Sequence, residues 1–177
     1  MSRRVRFIFY KTPWKWGLKY LVNHLISLRT WSKYSHVEIW VANESILGFG
    51  YISLPVGTCY TSTMRGEENG TVERRAIKVL KHPERWDYIE FDVNDREYKD
   101  LILWLDKEVK ANKGYSKWDI LKFLSPIHFP DNKRNICSEL CNDGACIAGI
   151  IKGRGIVSPA KLLKKLVAVG GVVKELI

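Results

Sequence analysis

NKRNICSELCNDGACIAG, residues 132–149, holds three of the four cysteines of the chain. Cys137, Leu140, Cys141, Gly144, Ala145 and Ala148 recur at the three- and four-residue spacing of one helix face. Side chains this small let a helix lie close against a sheet. Cys137 falls in the expected first turn, where unpaired backbone N–H groups and the positive helix end favour thiolate over thiol. Lys133 and Arg134 just upstream add to that effect. A thiolate so placed is a competent nucleophile, and the adjacent N–H groups can hold an oxyanion formed at an attacked carbonyl. Cys141 and Cys146 lie deeper in the helix and read as small core residues. They do not make a zinc site with Cys137, because the i+9 position points about 180° away from i. No Cys-x-x-Cys or His-x-x-x-His spacing occurs elsewhere. Neither metal nor cofactor is expected.

About a hundred residues upstream stands YSHVEIW, residues 34–40. With period two, Val37 and Ile39 share one face of a strand, and His36, Glu38 and Trp40 share the other. The imidazole and the carboxylate are then roughly 6.6 Å apart along the strand. Solvated strand faces are ordinarily polar, so the pair alone reads as a wet surface rather than a site. A nucleophile elsewhere in the chain makes His36 a candidate base and Glu38 a candidate orienter of its ring.

The remaining pattern is that of one α+β domain spanning residues 1–177, with a mainly antiparallel sheet. VRFIFY (5–10) reads as a strand. Trp14, Leu18, Leu21, Val22, Leu25 and Leu28 then form the stripe of a basic amphipathic helix, whose apolar face is expected on the core, with membrane or nucleic-acid docking as the alternative. Ala42-Asn43-Glu44-Ser45 signals a hairpin leading into a strand over 46–54. TSTMRGEENGT (61–71) reads as a loop, and VERRAIKVL (72–80) and WDYIEFDV (86–93) as strands. Asn94 or Asp95 can cap a helix with stripe Tyr98, Leu101, Ile102, Leu105 and Val109. Ser116 and Asp119 resemble a capping box for a short helix. Ser158-Pro159 opens a further helix, and VVKELI closes the chain as a strand.

At 177 residues, 46% apolar and 27% charged, the chain can bury a core without disulfides or metal. The longest apolar-or-glycine run, Leu166–Val173, is far too short to span a bilayer, and no signal peptide is visible. A cytoplasmic location with reduced cysteines is expected. The net charge of +10 sits at the two ends: residues 1–35 carry eight Lys/Arg and no acid, and residues 147–177 carry six against Glu175 alone. Such ends suit a polyanionic partner, whether cell-wall polymer, anionic lipid or nucleic acid.

A strand bearing His36 in SHVE, followed by a helix opening on Cys137 in CSEL, resembles the circularly permuted branch of the NlpC-type papain-like superfamily. That branch includes the lecithin retinol acyltransferase-like proteins. Ordinary papain-like enzymes place Cys before His; the permuted ones, like this chain, place His first. The likeness runs over roughly residues 5–150, through Ser62, Arg65 and Gly66, Trp86-Asp87, and Gly114 to Trp118-Asp119. It looks most like small proteins encoded by tailed bacteriophages, in which case the host cytoplasm or the virion is the expected location. The resemblance implies a permuted papain-like fold, its sheet packed against a helix carrying Cys137 at the N-terminus. It also implies a thiol hydrolase or transferase acting on an amide or ester of a peptide or acyl substrate, a peptidoglycan peptide or host protein being the first expectation. A lipid acyltransferase or thioesterase, or a non-enzymatic binder of nucleic acid or a virion component, are the alternatives. It further implies a third polar residue from the next strand. With a two-residue turn at Asn43-Glu44, the residue facing His36 is near Tyr51, and that stretch offers no carboxylate or amide, which leaves the role to Glu38. Arg65, able to hold a carboxylate bidentately, and Tyr51 are the candidate substrate-binding residues.

Overall fold

Val5, Phe7, Ile8 and Phe9 are fully buried and Arg6 nearly so, so the middle of the first strand is buried on both faces. Its place in the fold explains this. In the computed structural model, β1 (Ser2–Lys11) lies between β2 (Tyr34–Ala42) and β5 (Trp86–Asn94). Among the described residues the sheet has six strands in the order β4-β3-β2-β1-β5-β6 and every neighbouring pair is antiparallel; β3 is Gly57–Thr63, β4 is Thr71–Ala76, and β6 is the two-residue Lys174–Glu175. The structure describes residues 2–13, 24–25, 27–42, 57–63, 71–76, 82–111 and 136–176.

Three helices follow β5 among the described residues: α1 (Asp95–Ala111), α2 (Cys137–Ile147) and α3 (Pro159–Ala168). Asn94 caps α1 reciprocally with Glu97: the Glu97 N–H donates to Asn94 Oδ1 at 2.9 Å, and the Asn94 N–H donates to Glu97 Oε2. Ser158 caps α3 by accepting from the Lys161 N–H, with Pro159 in the first turn. The main core joins one sheet face to the helices, with Phe7, Phe9, Val37, Ile39 and Ile89 packing against Leu101, Leu105, Leu140, Cys141, Ala145, Leu162 and Leu166. The opposite face carries Ile8, Trp40 and Cys59, with Trp86 and Tyr88 beside them. Arg6 stacks 4.4 Å over the Trp40 ring there and is ion-paired with Glu90.

Gly144 sets how closely α2 approaches the sheet. A Cβ built on it would stand 2.5 Å from Ile39 Cδ1 and 3.3 Å from Leu101 Cδ1. The small-residue stripe expected for this helix therefore does what its side chains allow.

Two expectations are corrected. Thr61, Ser62 and Thr63, read above as loop, belong to β3 and pair with Glu73, Val72 and Thr71. Their β-branched and hydroxyl side chains suit a pleated, half-buried strand when a partner is present. The strand paired with β2 opposite β1 is β3 rather than one reached through a turn at Asn43-Glu44; the connection is residues 43–56. Residues 43–56 themselves, including Tyr51 and the strand expected over 46–54, lie outside the described residues, as do Arg65, Lys15, Lys19, Ser116 and Asp119.

The basic amphipathic segment is described only at 24–25 and 27–30, which are helical. Leu25 and Leu28 were expected on the core; they are 37% and 69% exposed. The helix ends in a Schellman arrangement, with the Ser32 N–H donating to Ser27 O and the Trp31 N–H to Leu28 O. Trp31 occupies the left-handed position of that motif, with φ +48°, where glycine is the usual residue. An L side chain there costs about 1 kcal/mol. The helix end is fastened to β1: the Thr12 N–H donates to Lys33 O at 2.8 Å, and Thr12 Oγ1 lies 2.7 Å from Ser27 Oγ. Below it, buried Asp87 takes Lys11 at 2.9 Å, Lys33 at 3.0 Å and the Tyr34 hydroxyl. Burial pushes the Asp87 carboxyl up, but its bonds from Tyr34, Lys11 and Lys33 outweigh that and hold it below the usual carboxylate range. Part of the N-terminal positive charge is thus paired with acids of the fold, and Arg3 on Asp95 and, at the surface, Arg4 on Asp92 add to this.

Candidate active site

The ladder between β2 and β3 runs from Ala42↔Gly57 to Ile39↔Tyr60, although β2 continues back to Tyr34 and β3 on to Thr63. The candidate site occupies the place where that pairing stops. On one side of it, strand alternation puts His36 and Glu38 on the sheet face away from the helices. From the helix side comes Cys137, the first residue of α2. Its sulfur accepts from the Val37 N–H of β2, from the Ser138 N–H of its own helix and from the His36 ring. Where β2 and β3 no longer bond to each other, the thiol reaches through to the imidazole.

The helix start is suited to this. Its N-cap residue, Ile136, has no side-chain oxygen to occupy the first-turn N–H groups. The Ser138 N–H turns to the sulfur instead, while the Ser138 hydroxyl donates to Val157 O and anchors the turn.

The far side of the imidazole is held by two groups. His36 Nε2 lies 3.1 Å from Glu38 Oε1 and 3.1 Å from Thr61 Oγ1. A carboxylate accepts, so Nε2 carries the proton, and Nδ1 is the ring nitrogen left to face Cys137. Glu38 and Thr61 are fully buried. Thr61 escaped the sequence reading because the strand next to β2 was placed too early. The signal that could have found it is the Thr-Cys-Tyr-Thr-Ser-Thr run at 58–63, whose β-branched and aromatic residues favour a strand.

The electrostatics single out one cysteine. Burial by itself pushes the Cys137 thiol up, but the adjacent imidazolium charge, the His36 hydrogen bond and the two backbone N–H groups reverse this and lower it. Burial likewise pushes the His36 imidazole down, and the Cys137 thiolate together with Glu38 reverses it, so the ring is raised. The pair is therefore poised as thiolate and imidazolium. Cys141 moves the other way: burial raises its thiol well above the ordinary range, and the Cys137 and Glu38 charges raise it further. Cys146 is also raised, first by burial and then by Asp143. Access is limited but present, since the His36 side chain is 22% exposed.

If Glu38 acts through the ring, Glu38→Gln keeps its shape and an acceptor but removes the charge that favours imidazolium. Alkylation of Cys137 near neutral pH should slow roughly tenfold, equivalent to about 1.4 kcal/mol. The loss should vanish in a His36→Ala background, because Glu38 then has no ring to act on. Equal rates for wild type and Glu38→Gln would leave Glu38 a merely structural buried acid.

No protein-family model matches the chain, and a search of curated proteins finds no match for it.

Proposed function

We propose that the protein is a cysteine hydrolase or acyltransferase of the peptidase and amidase type, acting on an amide or ester through Cys137 and His36. The observation that carries this reading is the placement of Cys137 at a helix start beside a His36 ring held by Glu38 and Thr61, with which the lowered thiol and raised imidazole agree. Within it, the thiolate attacks the acyl carbon, and N–H groups of the first turn of α2 face the oxyanion that forms. His36 then gives its Nδ1 proton to the leaving amine or alcohol, producing a thioester on Cys137. The same nitrogen next takes a proton from the incoming water or acceptor hydroxyl, and collapse of the intermediate expels the Cys137 thiolate beside the imidazolium. Glu38 and Thr61 position the ring throughout and do not touch substrate. The order of parts, a His-bearing strand followed by a Cys-bearing helix, supports a permuted papain-like arrangement of the α+β fold.

Mass spectrometry after brief exposure to an activated ester or amide provides the test. Acyl mass is expected on Cys137, none on Cys59, Cys141 or Cys146, with accumulation in His36→Ala too slow to detect. Acylation that persists in Cys137→Ser at another residue, or a wild-type protein that never acylates, would overturn the enzyme reading in favour of a non-catalytic binder.

A further inference from the structure

Trp31 is 92% exposed and Leu28, one turn earlier, is 69% exposed. Together with Leu25 they form an apolar ridge at the end of the helical segment described at 24–25 and 27–30. Arg29 and Lys33 flank Trp31 two residues to either side, and both are exposed. Lys33 is ion-paired with the buried Asp87, which also takes Lys11, and Glu175 is exposed beside Lys11; Arg29, Lys33 and Lys11 still outnumber these two acids, so the corner keeps a net positive charge. The ridge does not sit on a loose loop, since Thr12 fastens it to β1 through both its backbone and its hydroxyl. A bulky aromatic is thus turned into solvent at a backbone position that favours glycine.

We propose that this ridge is a docking surface for anionic lipid bilayers, with Trp31 and Leu28 entering the interfacial layer and Arg29 and Lys33 meeting headgroups. Indole combines a large apolar body with one polar N–H, which suits the boundary between headgroups and acyl chains. Cationic residues beside an apolar ridge add attraction to anionic headgroups. A phosphate backbone would use the cations but gain nothing from Leu25 or Leu28, so the apolar exposure favours lipid over nucleic acid. The attachment would be shallow, because among the described residues no helix is long and apolar enough to cross a membrane. It also lies near the candidate active site: Trp31 precedes His36 by five residues, no more than about 18 Å of chain. A docked protein would hold the Cys137–His36 pair close to the bilayer surface. The docking surface stands independently of whether Cys137 turns over a substrate.

The test is co-sedimentation of the intact protein with mixed phosphatidylcholine–phosphatidylglycerol vesicles, with pure phosphatidylcholine vesicles and double-stranded DNA as comparisons. Trp31→Gly is the informative variant, because glycine relieves the backbone and leaves thermal stability unchanged or raised. It is expected to weaken binding to the anionic vesicles roughly tenfold, while Arg29→Gln weakens it less and steepens no salt effect. Binding should fall as salt rises and be much poorer to pure phosphatidylcholine. The proposal is overturned if the wild type fails to bind anionic vesicles, if Trp31→Gly binds them as well as wild type, or if DNA is bound with vesicles ignored. A loss of vesicle binding accompanied by unfolding of Trp31→Gly would count for a structural role, and Trp31→Ala then decides between the two by the same pair of readings.

Discussion

His36→Ala is expected to slow alkylation of Cys137 by iodoacetamide at pH 6 by roughly two orders of magnitude. In the wild type the imidazolium beside the buried sulfur lowers its pKa below that of an ordinary thiol. Without that charge, burial acts on the thiol with only two backbone N–H groups opposing it, and its pKa returns to at least the ~8.5 of a free cysteine. At pH 6 less than about 1% of such a thiol is ionised. The wild-type rate should therefore be nearly flat from acid to neutral pH, while the variant's rate climbs as pH rises, and the two should converge in alkali. Rates followed by mass spectrometry across that range decide the matter. Parallel profiles for the two proteins would show that His36 does not ionise Cys137.

The second large effect concerns stability. Gly144→Val should destabilise the fold by about 2 kcal/mol, with a lower denaturant midpoint and an unchanged slope. The first carbon added already meets Ile39 Cδ1 at 2.5 Å, with Leu101 and Trp104 close behind. Alanine adds only that atom, and the flexible end of Ile39 can give way, so Gly144→Ala should be far milder. Valine needs room on both sides, and α2 must lift from β2. Cys137 rides on the same helix, seven residues earlier. Alkylation at pH 6 should therefore slow in the valine variant even under conditions where it stays folded. A valine protein with wild-type midpoint and wild-type reactivity would mean that the contact with Ile39 does not set the position of α2.

Strong periodicity made most of this architecture readable in the sequence. β1, β2, β5 and the three described helices each carry an unbroken apolar pattern, and Asn94 and Ser158 cap where their side chains suggest. Cys137 and His36 were legible for the same reason, since one begins a periodic helix and the other alternates with Val37 and Ile39. β3 was not. Thr61, Ser62 and Thr63 have the composition of a turn, and only pairing with β4 on one side and a core on the other makes them a strand. Local turn signals at Asn43-Glu44 also outweighed a longer connection, because sequence pattern carries little information about which distant strand supplies a partner. Thr61, the second group on the His36 ring, was lost with that error. The exposure of Leu28 was missed because helical spacing shows that a face is apolar without showing what it faces.

The central place of β1 has a consequence for synthesis. Val5–Phe9 leave the ribosome before either neighbour, yet they are covered on both edges only by β2 and by β5, whose last residue is Asn94. At about 5–20 residues per second, β1 waits several seconds for β5 to be made. During that interval a nascent chain presents one of its most apolar segments with an unpaired edge, so holding by chaperones should raise the yield of active protein. A brief translational pause soon after β5 emerges would favour closure of the sheet before the helix bearing the thiol arrives.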